Sequence, residues 1–267
     1  MQINSYSASS SYQSQNVMNS QKTMQHIASG KSINSAADNP AAIAILSGMQ
    51  SQTRGLDQAY QNTQNSMSLL NTSEGAMGDS AEIIQSMREL SLQAANGTLT
   101  DKDRSFIQEE MNQLSSQLDY NAKNTQFNGI HTNDGSLTNF TTQVGANSGQ
   151  VVATSIGGVS TNDLGISIDV STQRAAENSL ASIDSGLQQI STARSDIGAV
   201  TNGLEFSSSN VERSSANVQS ATSRIGDSNI ASEASLFSQS NLQSYISMMM
   251  LSKQMQNQQK NALSILA

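Results

Sequence analysis

The sequence predicts a mainly α fold: long antiparallel helical rods in coiled-coil packing, with a small β-hairpin region at the distal turn. Three observations predict it. Apolar residues recur at alternating steps of three and four over four long blocks, a spacing that places them on one stripe of a helix. With 4% aromatic residues, no Trp, no Cys and one Pro in 267 residues, the composition argues against one wide compact core, because aromatic side chains normally supply much of its buried area. Turn-forming Asn and Gly residues collect between residues 126 and 172, where short β-leaning pieces alternate with them.

The first block is a thin stripe on a very polar helix: Ile3, Tyr6, Ser10, Gln13, Val17, Ser20, Met24 and Ile27. Asp38-Asn39-Pro40 then offers a helix start, since an Asn side chain caps free amides and Pro at the first turn needs no amide donor. From there Leu46, Met49, Thr53, Leu56, Tyr60, Thr63, Met67, Leu70, Glu74, Met77, Ala81 and Ile84 keep the spacing. The stripe is expected to rotate by one position near its end, to Ile83, Met87, Leu90 and Ala94, before Asn96-Gly97 stops the helix. At 1.5 Å per residue this rod is about 80 Å long. Thr100 and Asp103 form a capping box for a shorter helix whose inner face is Ile107, Met111, Leu114 and Leu118.

Asn128-Gly129, Asn133-Asp134-Gly135, Asn147-Ser148-Gly149 and Gly157-Gly158 punctuate the middle, and Phe140 to Val144, Val151 to Ile156 and Ile166 to Val170 are expected as strands. The third helical block is the most regular. Leu180, Ile183, Leu187, Ile190, Arg194, Ile197, Thr201, Leu204, Ser208, Val211, Ser215, Val218, Thr222 and Ile225 hold the alternation for about six heptads. Leu187, Ile190, Ile197, Leu204, Val211 and Val218 are the expected rod seam, facing the second block. After Gly226 the last block runs Ile230, Ala234, Phe237, Asn241, Ser244, Met248, Leu251, Met255, Gln258, Ala262, Ile265. The simplest topology folds back in the hairpin region, pairs the second and third blocks antiparallel and brings the termini together.

Composition also excludes functions. A net charge of -8 opposes binding to nucleic acid or to an anionic membrane surface, both of which need a basic face. The longest apolar runs, Ala41 to Leu46 and Met248 to Leu251, fall far short of the ~20 residues that span a bilayer, and the N-terminus lacks the basic start and apolar stretch of a cleaved secretory signal. Without Cys there is no thiolate nucleophile or disulfide, and His26 and His131 lie in different kinds of segment. No phosphate loop or H-E-x-x-H motif is present. No catalytic residue, cofactor or metal is therefore expected. The Met248-Met249-Met250-Leu251 cluster reads either as an adaptable greasy surface or as ordinary packing. Ser, Asn and Gln together make up about 100 residues, and they interrupt both terminal stripes. Those helices are marginal alone and are expected to order on a partner.

Several motifs in order carry a resemblance. Ile27-Ala28-Ser29-Gly30-Lys31-Ser32-Ile33-Asn34-Ser35-Ala36-Ala37-Asp38-Asn39-Pro40-Ala41, Arg88-Glu89-Leu90-Ser91-Leu92-Gln93-Ala94-Ala95-Asn96-Gly97-Thr98 and Thr125-Gln126-Phe127-Asn128-Gly129 resemble bacterial flagellin. So do Gln143 to Asn147, Arg194 to Val200 and Ala262 to Leu266. The chain departs from the family at Ser32, where a basic residue is common, at Gln259-Lys260, where a Pro-Gln pair is common, and in having no large insert in the middle.

The resemblance implies a short flagellin that polymerises into the flagellar filament outside the cell and is not an enzyme. It implies an inner-tube N-terminal helix and linker at 1–39, outer-tube helices at 40–126, the hairpin region at 127–173, an outer-tube return helix at 174–226 and an inner-tube C-terminal helix at 227–267. Inner-tube assembly would use Val17, Met24, Ile27, Phe237, Met248, Leu251, Met255 and Ile265. The partners implied are further copies of the chain, the flagellar export apparatus and its chaperone, and the filament cap and hook-filament junction proteins. A host Toll-like receptor is also implied, reading Arg88, Glu89, Leu90, Gln93 and Glu110. A junction protein between hook and filament shares both terminal helices and is the rival reading; a secreted soluble coiled coil is another.

Overall fold

The computed structural model describes residues 2–266, with side chains described for residues 11, 13–257, 259 and 260. Its elements are the helices α1 (Gln2–Ser29), α2 (Pro40–Ala94), α3 (Asp101–Asn124), α4 (Gln173–Gly226) and α5 (Ile230–Leu266). Between α3 and α4 lie the strands β1 (Gln126–Phe127), β2 (Ile130–His131), β3 (Phe140–Gln143) and β4 (Val151–Thr154). Two compact units follow from the packing, one of residues 53–216 and one formed by residues 1–52 with 217–267.

The helix boundaries follow their local chemistry. The side-chain oxygen of Asn39 accepts from the Ala42 amide at 3.1 Å at the start of α2. At α3 the Asp103 amide donates to Thr100 Oγ1 and the Thr100 amide donates to Asp103 Oδ2, a closed capping box. Asn128 at φ 50° and Gly129 at φ 80° occupy the left-handed region that a two-residue hairpin turn requires, and they join β1 to β2 with Phe127 opposite Ile130. A longer turn containing Gly149 joins β3 to β4, Phe140 opposite Thr154.

The segment Ile166 to Val170, expected as a strand, pairs with no strand. Its backbone is satisfied by helix side chains instead. Gln108 of α3 donates to the Ile168 carbonyl and accepts from the Val170 amide, both at 2.7 Å, and Ser182 of α4 accepts from the Ser167 amide. Ile166 and Val170 are thereby laid into the core of the larger unit.

That core is a three-helix assembly closed by the middle segment. Leu70, Met77, Ile84 and Met87 of α2, Met111 and Leu118 of α3, and Ile183, Ile190 and Leu204 of α4 are its largest fully buried side chains, with Val159 and Val170. Antiparallel pairing of α2 with α4 is recorded by cross-helix polar contacts. Arg88 meets Asp184, Glu74 meets Arg194, Gln64 meets Ser208 and Asp57 meets Ser215, one number falling as the other rises.

The seam differs from the apolar stripe in a consistent way. On α2 the seam runs through the buried Leu56, Ala59, Thr63, Ser66, Leu70, Ser73, Met77, Ser80, Ile84, Met87, Ser91 and Ala94 at alternating steps of three and four, with Leu46, Leu69 and Ala76 buried as well. Every second position lies one residue before the one the apolar stripe picks, so Ala59, Ser66, Ser73 and Ser80 are inside while Tyr60, Met67, Glu74 and Ala81 flank the seam. The rotation expected at Ile83 does not occur, because the same phase continues through Ile84, Met87, Ser91 and Ala94. Burial of these polar groups is permitted because Thr63, Ser80 and Ser91 donate to the carbonyl four residues back, at 2.8, 2.8 and 3.0 Å. Small side chains also let the helix backbones approach.

On α4 the same correction applies. Ile190, Ile197, Leu204 and Val211 are buried at one heptad position, and the other is held by Ser179, Gly186, Ala193 and Val200. Leu187 is therefore only half-buried, as is Val218, which belongs to the smaller unit. A Cβ at Gly186 would lie 3.0 Å from Ile166 Cδ1, so this glycine makes room for the extended segment.

Candidate functional site

The smaller unit pairs α1 with α5 in antiparallel fashion. Ser240 donates to the Asn16 carbonyl at 3.0 Å, Ser20 donates to Asn241 Oδ1 at 3.3 Å, and His26 Nδ1 lies 3.1 Å from Glu233 Oε1. The linkers join the pair at one end: the Ser32 amide donates to the Gly226 carbonyl and the Ser228 amide to the Gly30 carbonyl. Lys22 reaches Asp38 at 2.9 Å, fastening α1 to the linker that follows it. Asp38 also accepts from the amides of Asn34 and Ser35. Its carboxyl is held well below the usual carboxylate range, first by the hydrogen bond from Lys22 and then by those amides.

The face of α5 turned toward α1 carries Glu233, Phe237, Ser240, Ser244, Ser247, Leu251 and Gln254, the one-residue displacement seen in the larger unit. On α1 the corresponding face is Gln13, Asn16, Ser20, Thr23, His26 and Ile27. The seam is mostly polar, with Ile27, Phe237 and Leu251 as its large apolar members. Such a seam removes little apolar area from water.

Large apolar side chains lie outside it. Met18 and Met24 of α1 and Leu236, Leu242, Tyr245, Ile246, Met248, Met249, Met250 and Met255 of α5 are all exposed, Leu242 at 61% and Met250 at 69%. Among the assembly residues expected from sequence, Val17, Met24, Met248 and Met255 are exposed. Ile27, Phe237 and Leu251 are half-buried on the intrachain seam. The side chain of Ile265 lies outside the described residues. The heptad stripe missed Leu242, Ile246 and Met249, although their spacing of four and three is a second stripe legible in the sequence.

The patch expected around Arg88 is divided by the structure. Arg88 turns to α4, where its Nε meets Asp184 Oδ1 at 2.6 Å and this hydrogen bond raises the guanidinium pKa further. About 200° around the helix, at roughly 100° per residue, Leu90 packs against the core. Glu89 and Gln93 on α2 and Glu110 on α3 are exposed, as is Ser86, whose hydroxyl donates to the Glu82 carbonyl. No group of three or more His, Asp or Glu suited to a metal exists among the described residues, and none of their helices is long and apolar enough to cross a membrane.

A long helix at each end of the chain, with the hairpin region between, invites comparison with known proteins. The family profile described as the bacterial flagellin N-terminal helical region matches residues 2–138, and that of the C-terminal helical region matches residues 180–266. The chain belongs to the bacterial flagellin family. The flagellin of Halalkalibacterium halodurans is 35% identical over 250 residues, covering 92% of this chain and 91% of the relative. The flagellin of Bacillus subtilis is 34% identical, with 92% of each chain covered. Treponema phagedenis supplies another relative, a flagellar filament 33 kDa core protein, at 32% identity over 80% of each chain. Among solved structures, the crystal structure of Bacillus cereus flagellin superposes with a TM-score of 0.51 at 30% identity, covering 57% of this chain and 88% of that one. A putative flagellar hook-associated protein from Vibrio parahaemolyticus, at 18% identity and a TM-score of 0.59, shares the fold. As a flagellin, the chain is a structural subunit of the extracellular flagellar filament and not an enzyme.

Proposed function

We propose that copies of this chain meet through the outward apolar face of the paired terminal helices. One observation carries this reading: large apolar side chains of α5 stand exposed while the intrachain seam holds mostly polar residues beside Ile27, Phe237 and Leu251. A contiguous exposed apolar surface marks an interaction site. In a helical polymer the contact is heterologous, one face of each subunit meeting a different face of the next, so a one-sided stripe suits it. In this reading residues 1–39 and 227–267 line the inner tube, residues 40–126 and 174–226 form the outer tube and residues 127–173 cap its hairpin end. Val17, Met24, Met248 and Met255 bear on neighbouring copies. Ile27, Phe237 and Leu251 hold the helix pair together.

The same surface has to be shielded before assembly. This supports engagement by an export chaperone and the export apparatus, and later contact with the filament cap and the hook-filament junction proteins. A host Toll-like receptor would read Glu89, Gln93 and Glu110 with Leu90, while Arg88 stays committed to Asp184. Ser86 offers less reach than an Arg fork would, so Ser86→Arg in depolymerised protein raises receptor signalling if this surface is the one sensed.

The assembly reading is tested with Leu242→Asp. The purified subunit keeps its helix content by circular dichroism and fails to extend filament seeds; extension at the wild-type rate overturns the reading.

A further inference from the structure

We propose that Met248, Met249 and Met250 form an oxidation site, and that a peroxide acting on it stops a free subunit from polymerising. The inference rests on the assembly reading above.

The described methionines range from buried to exposed: Met49 and Met67 are half-buried, Met18, Met24 and Met255 are exposed singly, and Met248 to Met250 are the one exposed run of consecutive thioethers among them. Met77, Met87 and Met111 are fully buried in the core of the larger unit. Met248, Met249 and Met250 are 51, 54 and 69% exposed on α5, spread around the helix from the flank of the α1 seam at Met248 across its outward side. Three consecutive residues at roughly 100° per residue sweep about 200° of a helix surface, so a helix laid on the outward side of α5 meets at least one of the sulfurs. The chain has no Cys, so no thiolate competes for an electrophilic oxidant. Solvent-exposed thioethers are then its accessible two-electron reductants.

The chemistry balances without a cofactor. The thioether sulfur attacks one oxygen of hydrogen peroxide; the S–O bond forms as the O–O bond breaks. A proton passes to the departing oxygen, which leaves as water. The sulfur loses two electrons and the peroxide gains them. The product is a polar sulfoxide where a flexible apolar group stood.

Leu242 and Ile246 offer no side-chain donor, whereas the exposed Tyr245 and Lys253 do. A sulfoxide buried against Leu242 or Ile246 of another copy is left without a hydrogen bond, a cost that a water-exposed sulfoxide in the free subunit does not carry. Leu has similar bulk and cannot be oxidised. Once the face is covered in the filament, peroxide cannot reach it. Sensitivity is thus confined to subunits awaiting assembly.

The test oxidises purified wild-type subunit and the triple variant Met248→Leu/Met249→Leu/Met250→Leu with hydrogen peroxide, maps added oxygen by peptide mass spectrometry, and measures extension of filament seeds. Treated wild type carries sulfoxide at these three sites before Met77, Met87 or Met111, keeps its circular dichroism and loses extension, while the treated variant extends. Where the triple variant fails to extend even untreated, the three single Leu variants replace it, and each retains more extension after treatment than wild type. The proposal is overturned if oxidised wild type extends like untreated protein, or if the Leu variants lose extension as fully as wild type. Leu242→Asp separates the two readings. Its extension removes the assembly reading of the face, whereas a blocked Leu242→Asp beside an extending oxidised subunit overturns the oxidation site alone.

Discussion

Ser73 of α2 donates its hydroxyl to the side-chain oxygen of Asn133, a residue of the hairpin region, and both are fully buried. The Asn133 amide group donates in turn to the Ser73 carbonyl at 3.2 Å, and the Asn133 carbonyl accepts from the Val159 amide. One residue of the hairpin region is thus pinned inside the rod it covers. The pair is reciprocal, so neither polar group is stranded.

Asn133→Ala breaks the reciprocity and leaves the Ser73 hydroxyl buried without its acceptor. The expected loss of monomer stability is about 1–3 kcal/mol, the usual cost of stranding a buried polar group. Urea unfolding followed by circular dichroism measures it. A double-mutant cycle with Ser73→Ala should return a coupling energy well above zero, and additive losses would show that the two side chains act independently.

The seam correction makes a paired prediction for α4. Leu204 is 1% exposed and Leu187 is half-buried. Leu204→Ala should cost about 2–5 kcal/mol as a core cavity, and Leu187→Ala clearly less, because its side chain is partly solvated before truncation. Equal losses in denaturant melts of the two variants would return Leu187 to the seam.

Asp38 ties the linker to α1 through Lys22, and its carboxyl is depressed in the folded chain by that hydrogen bond and two backbone amides. A depressed carboxylate contributes stability above its unfolded value of about 3.9, and the contribution is lost as pH falls through the folded value. The linker tie should therefore persist at neutral pH and through the ordinary carboxylate range, and give way only in stronger acid. Asp38→Asn removes this acid dependence, which a pH series of Lys22 or Asn34 NMR shifts reports directly. A wild-type transition centred near 4 would contradict the depression.

The α1/α5 seam buries little apolar area against a backbone entropy of about 1–2 kcal/mol per residue. Amide hydrogens of α1 and α5 should exchange faster in dilute subunit than those of α2, α3 and α4, and become protected in the filament. Hydrogen exchange with mass spectrometry distinguishes the two states, and strong protection of both terminal helices in the free subunit would contradict it.

Much of this was legible before any coordinates. The Asn39 and Thr100-Asp103 caps, the Asn128-Gly129 turn and the flagellin motifs depend on short-range chemistry that the sequence carries in a few adjacent residues. The second apolar stripe of α5 is also present in the spacing of Leu242, Ile246 and Met249, beside a first stripe interrupted by Asn241 and Ser244. Ile166 to Val170 reads as a strand in the sequence but pairs with none, because β-leaning residues signal an extended backbone without naming its partner. Gln108 and Ser182, distant in sequence, supply that partner.

The sequence by itself determined where the helices begin and end, where the chain turns, and one of the two seam positions in every heptad, since Leu70, Met77, Ile190 and Leu204 are apolar enough to be unambiguous. Only the tertiary structure decided the other position. Helix axes approach most closely where side chains are small, and a Ser can be buried there once its hydroxyl finds a partner: Ser80 donates to the carbonyl one turn back, Ser66 pairs with Thr142 and Ser73 donates to Asn133. Ser66, Ser73 and Ser80 therefore went inside and Tyr60, Met67 and Glu74 did not. On α5 Ser240, which donates to the Asn16 carbonyl, and Ser247 lie on the chain's own seam, while Met248, Met249 and Met250 stay exposed.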